Sequence, residues 1–319
     1  MAGEALEMRL VQGMRNYLAV LGVASCVWCA GSLAASLASV SIMADTPLSL
    51  AVLQRLAPMM ERGGSLRILP VAGKGPVPTV TDLVTLHNVD AALVSSDTLA
   101  YMQHNGLVGG LPGKLGYVVK LGGLDIHVVT RNGIETLGDL AGKRVVTGRT
   151  GGESFIAGEF LRGAISPPPE LLPGDGLDAL QAVAAGKADA AILVGHRPLP
   201  ELAAMGTQSG LHLIPLQAPK GFEDIYAPAL ISHSDYPQLI AEDHPVETVS
   251  AALTVAVFNW KKGSAQYDRI RTLADSLFAA LQPSPAGDAG LNLAAGVPGW
   301  ARHGAAADAL AALHGGSQQ

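Results

Sequence analysis

The sequence predicts an α/β protein of two lobes, and three observations carry that expectation. Short apolar strands alternate with amphipathic helices from residue 39 to about residue 281. The alternation passes through two cycles of similar make-up, one opening at Ser39 and the other near Lys143. Thirty-eight Gly and 20 Pro, with no collagen-like period, divide the chain into many short elements. Hydrophobic residues make up 49% of the 319, which excludes a chain too polar to offset its own conformational entropy. Aromatics are only 4%, so Ala, Val and Leu must build the core. The net charge of −6 argues against a nucleic-acid surface, which needs a clustered basic field.

The chain opens on a segment of a different kind. No charge stands between Arg15 and Asp45. Met14-Arg15 precede the apolar run Asn16–Ala24, and small residues follow, with Ser32/Ala34 and Ser36/Ala38 both spaced for cleavage. This is the pattern of an exported leader over residues 1–38. The gap is also long enough to span a bilayer, and Val23-Ala24-Ser25-Cys26 resembles a lipidation motif on Cys26, so a retained or lipid anchor stays open as the alternative. Both cysteines, Cys26 and Cys29, fall in this leader. A chain cut after Ala38 has no disulfide, thiolate metal site or cysteine nucleophile.

The elements follow in order. Ser39–Ala44 reads as a strand, and Asp45-Thr46-Pro47 as the start of a helix running to about Arg62. Leu66–Val71 is the next strand, and Thr79–Leu86 a short helix. Val89–Val94 is an apolar run suited to a buried parallel strand, and Asp97 caps the helix after it. Leu115–Leu121 and Leu124–Thr130 read as two strands. In the second cycle Lys143–Thr147 leads through a glycine loop to a helix over Glu153–Arg162. A helix at Leu177–Ala185, a strand at Ala188–Val194 and another at Leu211–Leu216 come next. Glu247–Asn259 alternates like a long strand, and Ser264 caps a helix with Tyr267, Ile270, Ala274, Leu277, Phe278 and Leu281 on its apolar face.

Several segments carry a resemblance. They include Val71-Ala72-Gly73-Lys74-Gly75, Val89–Ala92 with Ser95-Ser96-Asp97, and Asp139-Leu140-Ala141-Gly142-Lys143-Arg144-Val145. Ala185–Ala190, Asp235-Tyr236-Pro237, Phe258-Asn259-Trp260 and Val297-Pro298-Gly299-Trp300 complete the set. Together they resemble the solute-binding subunits of TRAP transporters, in particular the TAXI branch, over nearly the whole chain after the leader. The resemblance implies a type II periplasmic-binding-protein fold, with a ligand cleft between two lobes. It further implies a periplasmic location, a small organic acid or amino acid as solute, and permease subunits in the membrane as partners. Residues 39–127 with 217–319 would form the first lobe and 128–216 the second, with crossovers near Val128–Thr130 and Pro215–Gln217. Separate lobes predict that Val71 and Val145 fall in different sheets. One departure stands out: the first strand reaches the first helix through only Met43–Thr46, where the family has a longer glycine-rich loop. That shortening motivates an alternative, an accessory protein of the same fold that binds a protein partner instead of a solute.

The candidate site residues lie at strand ends, where clefts of such folds form. In Thr147–Ser154 the glycines let backbone approach a ligand, and free N–H groups at the next helix start favour an anion. The residues placed in the site are Arg149, Thr150, Gly151, Gly152, Glu153 and Ser154. Arg149 has the fork to pair with a carboxylate; the alternative is a solvated arginine on a loop that merely turns. Glu153 is either satisfied by its helix start or poised to receive an ammonium group. Gly73, Lys74 and Gly75 face the same cleft and lack the remaining P-loop pattern. Ser95 and Ser96 offer hydroxyls, with Asp97 read as the helix cap. His196 holds the matching position in the second lobe, and Tyr226 either leans into the cleft or packs in the core. Nine histidines without metal spacing and the lack of a Gly-x-Ser-x-Gly elbow give no sign of a cofactor, a metal or catalysis. A monomer is expected.

Overall fold

The structure is a computed structural model that describes residues 38–86, 88–205, 210–282 and 291–316. The expected leader and Cys26 lie outside the described residues, except for Ala38, the first residue of β1. The architecture is α/β, as the alternation predicts.

Strands β1 (Ala38–Ala44), β2 (Leu66–Ala72) and β3 (Ala91–Ser95) are parallel, with β1 in the middle. Helices α1 (Pro47–Met60) and α2 (Pro76–Thr85) follow β1 and β2, and α3 (Ser96–His104) follows β3. The second cycle repeats this plan. Strands β5 (Arg144–Val146), β6 (Glu170–Leu172) and β7 (Ala190–Gly195) are parallel, with β5 in the middle. A four-residue helix, α4 (Leu111–Lys114), precedes β4. Helices α5 (Glu153–Ala164) and α6 (Gly176–Ala184) connect the strands of the second cycle, and α7 (Pro200–Ala203) follows β7.

Two long strands join the cycles. Strand β10 (Val246–Phe258) runs antiparallel to β3 and completes the first set; β4 (Leu115–Arg131) runs antiparallel to β7 and completes the second. β4 and β10 also pair with each other. Short β8 (Leu211–Leu213) pairs with β4, and β9 (Tyr226–Ile231) with β10. Helices α8 (Ala265–Leu281) and α9 (Gly304–Gly316) close the chain. On α8, Tyr267, Ile270, Ala274, Leu277 and Phe278 are buried as their spacing predicts, and the Ser264 side chain accepts the Tyr267 N–H at the cap.

The expectation that Val71 and Val145 fall in different sheets is corrected: one ladder, β2-β1-β3-β10-β4-β7-β5-β6, contains both. The reason is that β4 and β10 pass through both halves without interruption. The halves are distinct in their cores instead. Leu124 and Leu253 pack with Val40, Leu66 and Leu273, whereas Ile126 and Ala251 pack with Val145, Ile156 and Ile192. Along β4 the packing partners switch between Leu124 and Ile126, and along β10 between Ala251 and Leu253. Ile231, Tyr236 and Ile240 accordingly pack with Val129 and Leu193 of the second half.

The two strands expected over residues 115–130 are one strand of 17 residues. Gly122-Gly123 falls between the two expected strands, but here the glycines serve a close cross-strand approach. A Cβ on Gly123 would overlap Ser250 Oγ. The register between β4 and β10 shifts beside this point, at Leu253 and Thr254, as a β-bulge does. β9 itself has no counterpart in the sequence reading, because Pro228 in mid-run weakens a strand pattern.

Candidate functional site: a cavity faced by both halves

The C-terminal ends of β1, β2, β5 and β7 open onto a cavity of about 780 Å³, within the range of small-molecule sites. Thr46, Leu48 and Pro76 line it from the first half. From the second come Thr147, Gly148, Arg149, Gly152, Glu153 and Ser154, then Asp175, and then Val194 to Glu201.

The glycine loop builds one wall. Gly148 N–H donates to Gly174 O at 3.1 Å and Gly152 N–H to Arg149 O at 3.0 Å, which fixes the turn before α5. No side chain caps α5, and the N–H groups of Glu153, Ser154 and Phe155 have no acceptor among the described residues. Arg149 is exposed on the cavity and makes no ion pair among the described residues. Thr150 and Gly151 sit at the outer bend and do not line the cavity. His196 does line it; burial lowers its pKa, against an opposing pull from Asp125. Its neighbour Arg197 is already engaged, with Asp125 at 2.7 Å and Asp235 at 3.5 Å.

The other wall belongs to the first half. Thr46, and not Asp45, caps α1: its side chain accepts the Ser49 N–H at 3.1 Å, and Ser49 Oγ reciprocates. Asp45 is turned inward instead. Its Oδ1 accepts from Ser49 Oγ at 3.1 Å, while Oδ2 is buried with no partner. Burial pushes its pKa up to about 6, with Asp97 adding to the rise. Gly73 donates its N–H to Ala44 O at 2.7 Å, and a Cβ there would overlap Thr79 Oγ1 and stand 3.1 Å from Asp45 Cα. Gly75 is buried at the start of α2, and Lys74 is exposed and outside the lining.

At the end of β3 the hydroxyls are committed. Ser95 Oγ bonds Thr98 Oγ1 at 2.8 Å, and Ser96 Oγ donates to Ile225 O and accepts from Ala252 N–H. Asp97 is read from the sequence as the cap of α3, but Ser95 holds the N-cap position and Asp97 is fully buried behind it. Its Oδ1 accepts Thr98 N–H at 2.8 Å, and Tyr226 Oη donates to Oδ2 at 3.4 Å. Burial raises the pKa of Asp97. Tyr226 is buried, with its ring 6.1 Å from that of Phe160 on α5, and is not among the residues that line the cavity.

Glu153 stands opposite these acids. The protein packed around it raises its pKa well above the ordinary range, and the charges of Asp45 and Asp97 raise it further. It accepts no hydrogen bond from the described residues. Three carboxyls, two from the first half and one from the second, thus feel one another's charge; Asp45 and Asp97 are buried, and Glu153, half-buried, lines the cavity. Sequence reading missed Asp45 and Asp97 as members of this group because both stand where a solvated helix cap would. Among the described residues no group of His, Cys, Asp or Glu is arranged to hold a metal ion. No described helix is long and apolar enough to cross a membrane.

Neither a protein-family model nor a curated protein sequence matches the chain. Solved structures do match, among them three of low identity. The alkanesulfonate-binding protein SsuA from Xanthomonas axonopodis pv. citri, bound to MOPS, is 17% identical. That match covers 76% of this chain and 73% of SsuA, with a TM-score of 0.43. An ancestral arginine-binding protein bound to arginine is 11% identical over 75% of this chain and 91% of its own, with a TM-score of 0.45. A full-length OxyR variant from Pseudomonas aeruginosa is 12% identical over 86% of this chain and 84% of its own, with a TM-score of 0.42. To each of these the chain is similar.

Proposed function

We propose that this chain is an exported, periplasmic solute-binding protein, serving a TRAP-type permease and catalysing no reaction. In this reading its two lobes, residues 38–124 with 253–316 and residues 126–251, close on a small organic acid or amino acid. The observation that carries the reading is the cavity itself, faced by strand ends of both halves. An anionic group of the solute would take the open N–H groups of α5 and the fork of Arg149. Closure then follows from the solute's higher affinity for the closed state, since only differential affinity shifts such an equilibrium. The test is thermal melting of the purified protein against a panel of carboxylates and amino acids. At 100-fold excess over Kd a true solute adds about 2.7 kcal/mol to stability.

A second reading, a periplasmic accessory protein that binds a protein partner, has its own support. Only Asp45 and Thr46 separate β1 from α1, so this wall offers few backbone donors. Strand β9 pairs only with β10 among the described residues, and Leu230 on it is exposed. An open strand edge of this kind is a common docking place for another chain. A melting panel without a single shift, together with a partner captured by cross-linking from residue 230, would favour it.

A further inference from the structure

We propose that the solute carries a protonated amine, held by Glu153 where it lines the cavity, with Asp45 and Asp97 behind the wall. The proposal rests on the solute-binding reading and selects within it: an amino-bearing acid is favoured over a simple organic acid.

The charge balance of the cavity comes first. Its lining holds the carboxyls of Glu153, Asp175 and Glu201 against the guanidinium groups of Arg149 and Arg197. Arg197 is spent on Asp125 and Asp235. Arg149 alone remains, with Asp45 and Asp97 adding acid behind the lining. A solute with carboxylates at both ends would place one of them against these acids.

Unpartnered polar atoms point the same way. Asp45 Oδ2, Thr79 Oγ1 and Thr147 Oγ1 are all buried without a hydrogen-bond partner. Thr79 is 0% and Thr147 1% exposed, and Thr147 lines the cavity. Thr79 Oγ1 lies against Gly73 on the side where Asp45 Cα also stands. Buried polar atoms of this kind are seldom left unpaired. Carboxylates accept only, and an ammonium group has three donors and no acceptor, so on the cavity wall it matches what Glu153 and Thr147 Oγ1 lack. Without a solute the acids can meet the same demand by holding protons, and the raised pKa values agree with that. Amine binding then displaces protons.

The test uses matched pairs, L-amino acids and the 2-oxo acids with the same side chains, in thermal melting and then calorimetry. The amino member of a binding pair should raise the melting temperature and the oxo member should not. Calorimetry in two buffers of different ionisation enthalpy should show proton release at pH 6–7. Glu153→Gln should weaken the amino acid at least tenfold, about 1.4 kcal/mol, without lowering the melting temperature of the unliganded protein, since a crowded, desolvated acid is being neutralised. An oxo acid that binds as tightly as its amino partner would overturn the amine subsite and leave the solute reading intact. So would unchanged affinity in both Glu153→Gln and Asp45→Asn. No response to either member of any pair would remove the solute reading itself.

Discussion

Replacing Asp45 with asparagine should make the protein more stable at neutral pH, and by an amount that depends on pH in a defined way. Asp45 is 6% exposed, and burial raises its pKa from an ordinary 3.8 to about 6. The folded protein therefore binds this proton more tightly than the unfolded chain does. Stability from this group is complete below about pH 3.8 and is lost as the pH rises through about 6. At pH 7 the loss is about 3 kcal/mol, two pKa units and a little more at about 1.4 kcal/mol each; at pH 4 it is only about 0.5 kcal/mol. An asparagine keeps the bond from Ser49 Oγ through its carbonyl but places an NH2 where Oδ2 has no partner. That unsatisfied donor costs about 1 kcal/mol at every pH. The variant should thus gain about 2 kcal/mol at pH 7 and lose about 0.5 kcal/mol at pH 4. The difference between the two conditions, about 2.5 kcal/mol, is independent of the amide's fixed cost and corresponds to about 5 °C or more in Tm for a chain of this size. Urea denaturation of both proteins at pH 4, 5.5 and 7 measures it. A stability difference that stays flat across that range would refute the argument that Asp45 is buried and strained in its charged form.

Three further outcomes are expected. Arg149→Ala should weaken an anionic or zwitterionic solute by about 1.5–3 kcal/mol in calorimetry, while Lys74→Ala, outside the cavity lining, does less. Gly73→Ala should cost about 1–3 kcal/mol in urea denaturation by overpacking, since its Cβ would overlap Thr79 Oγ1, and Thr79→Ala in the same chain should recover most of it. Tyr236→Phe should cost about 1–3 kcal/mol in the same assay, because Leu199 N–H and His127 Nε2 both lose their partner on the Tyr236 hydroxyl. His127 itself, held down to about 4 chiefly by burial, gives stability that is present above about pH 6.5 and lost as the pH falls toward 4. Its slope opposes that of Asp45 and cancels when wild type and the Asp45 variant are compared at one pH.

The residues that carried the fold in the sequence were those with a strong local period. Buried strands such as Ala91–Ser95 and Ala190–Gly195, and the helix Ala265–Leu281, announce themselves because burial on one or both faces dictates the residue type at each step. What stayed hidden was set by partners far along the chain. Gly122-Gly123 has the composition of a turn, and only Ser250 on the facing strand explains why glycine is needed within a continuous strand. β9 pairs with β10 and Tyr236 packs with Val129 and Leu193, contacts that the irregular stretch after Leu216 does not encode locally.

The cavity divides in the same way. The wall of Thr147–Ser154 is legible because clustered glycines before a helix have a local reason, the approach of backbone to something outside the chain. Asp45 and Asp97 are not, since an acid ahead of a helix looks the same whether water or protein lies in front of it. The two cases differ by several kcal/mol of desolvation, and what decides between them is the burial of each acid by the folded chain, with Tyr226 of the second half set against Asp97. Glu153 in turn becomes unusual only once both halves are placed face to face, since the charges of Asp45 and Asp97 add to its rise. The property that best distinguishes this cavity is therefore one that neither half of the sequence possesses alone, and it is the property on which an amine-bearing solute would act.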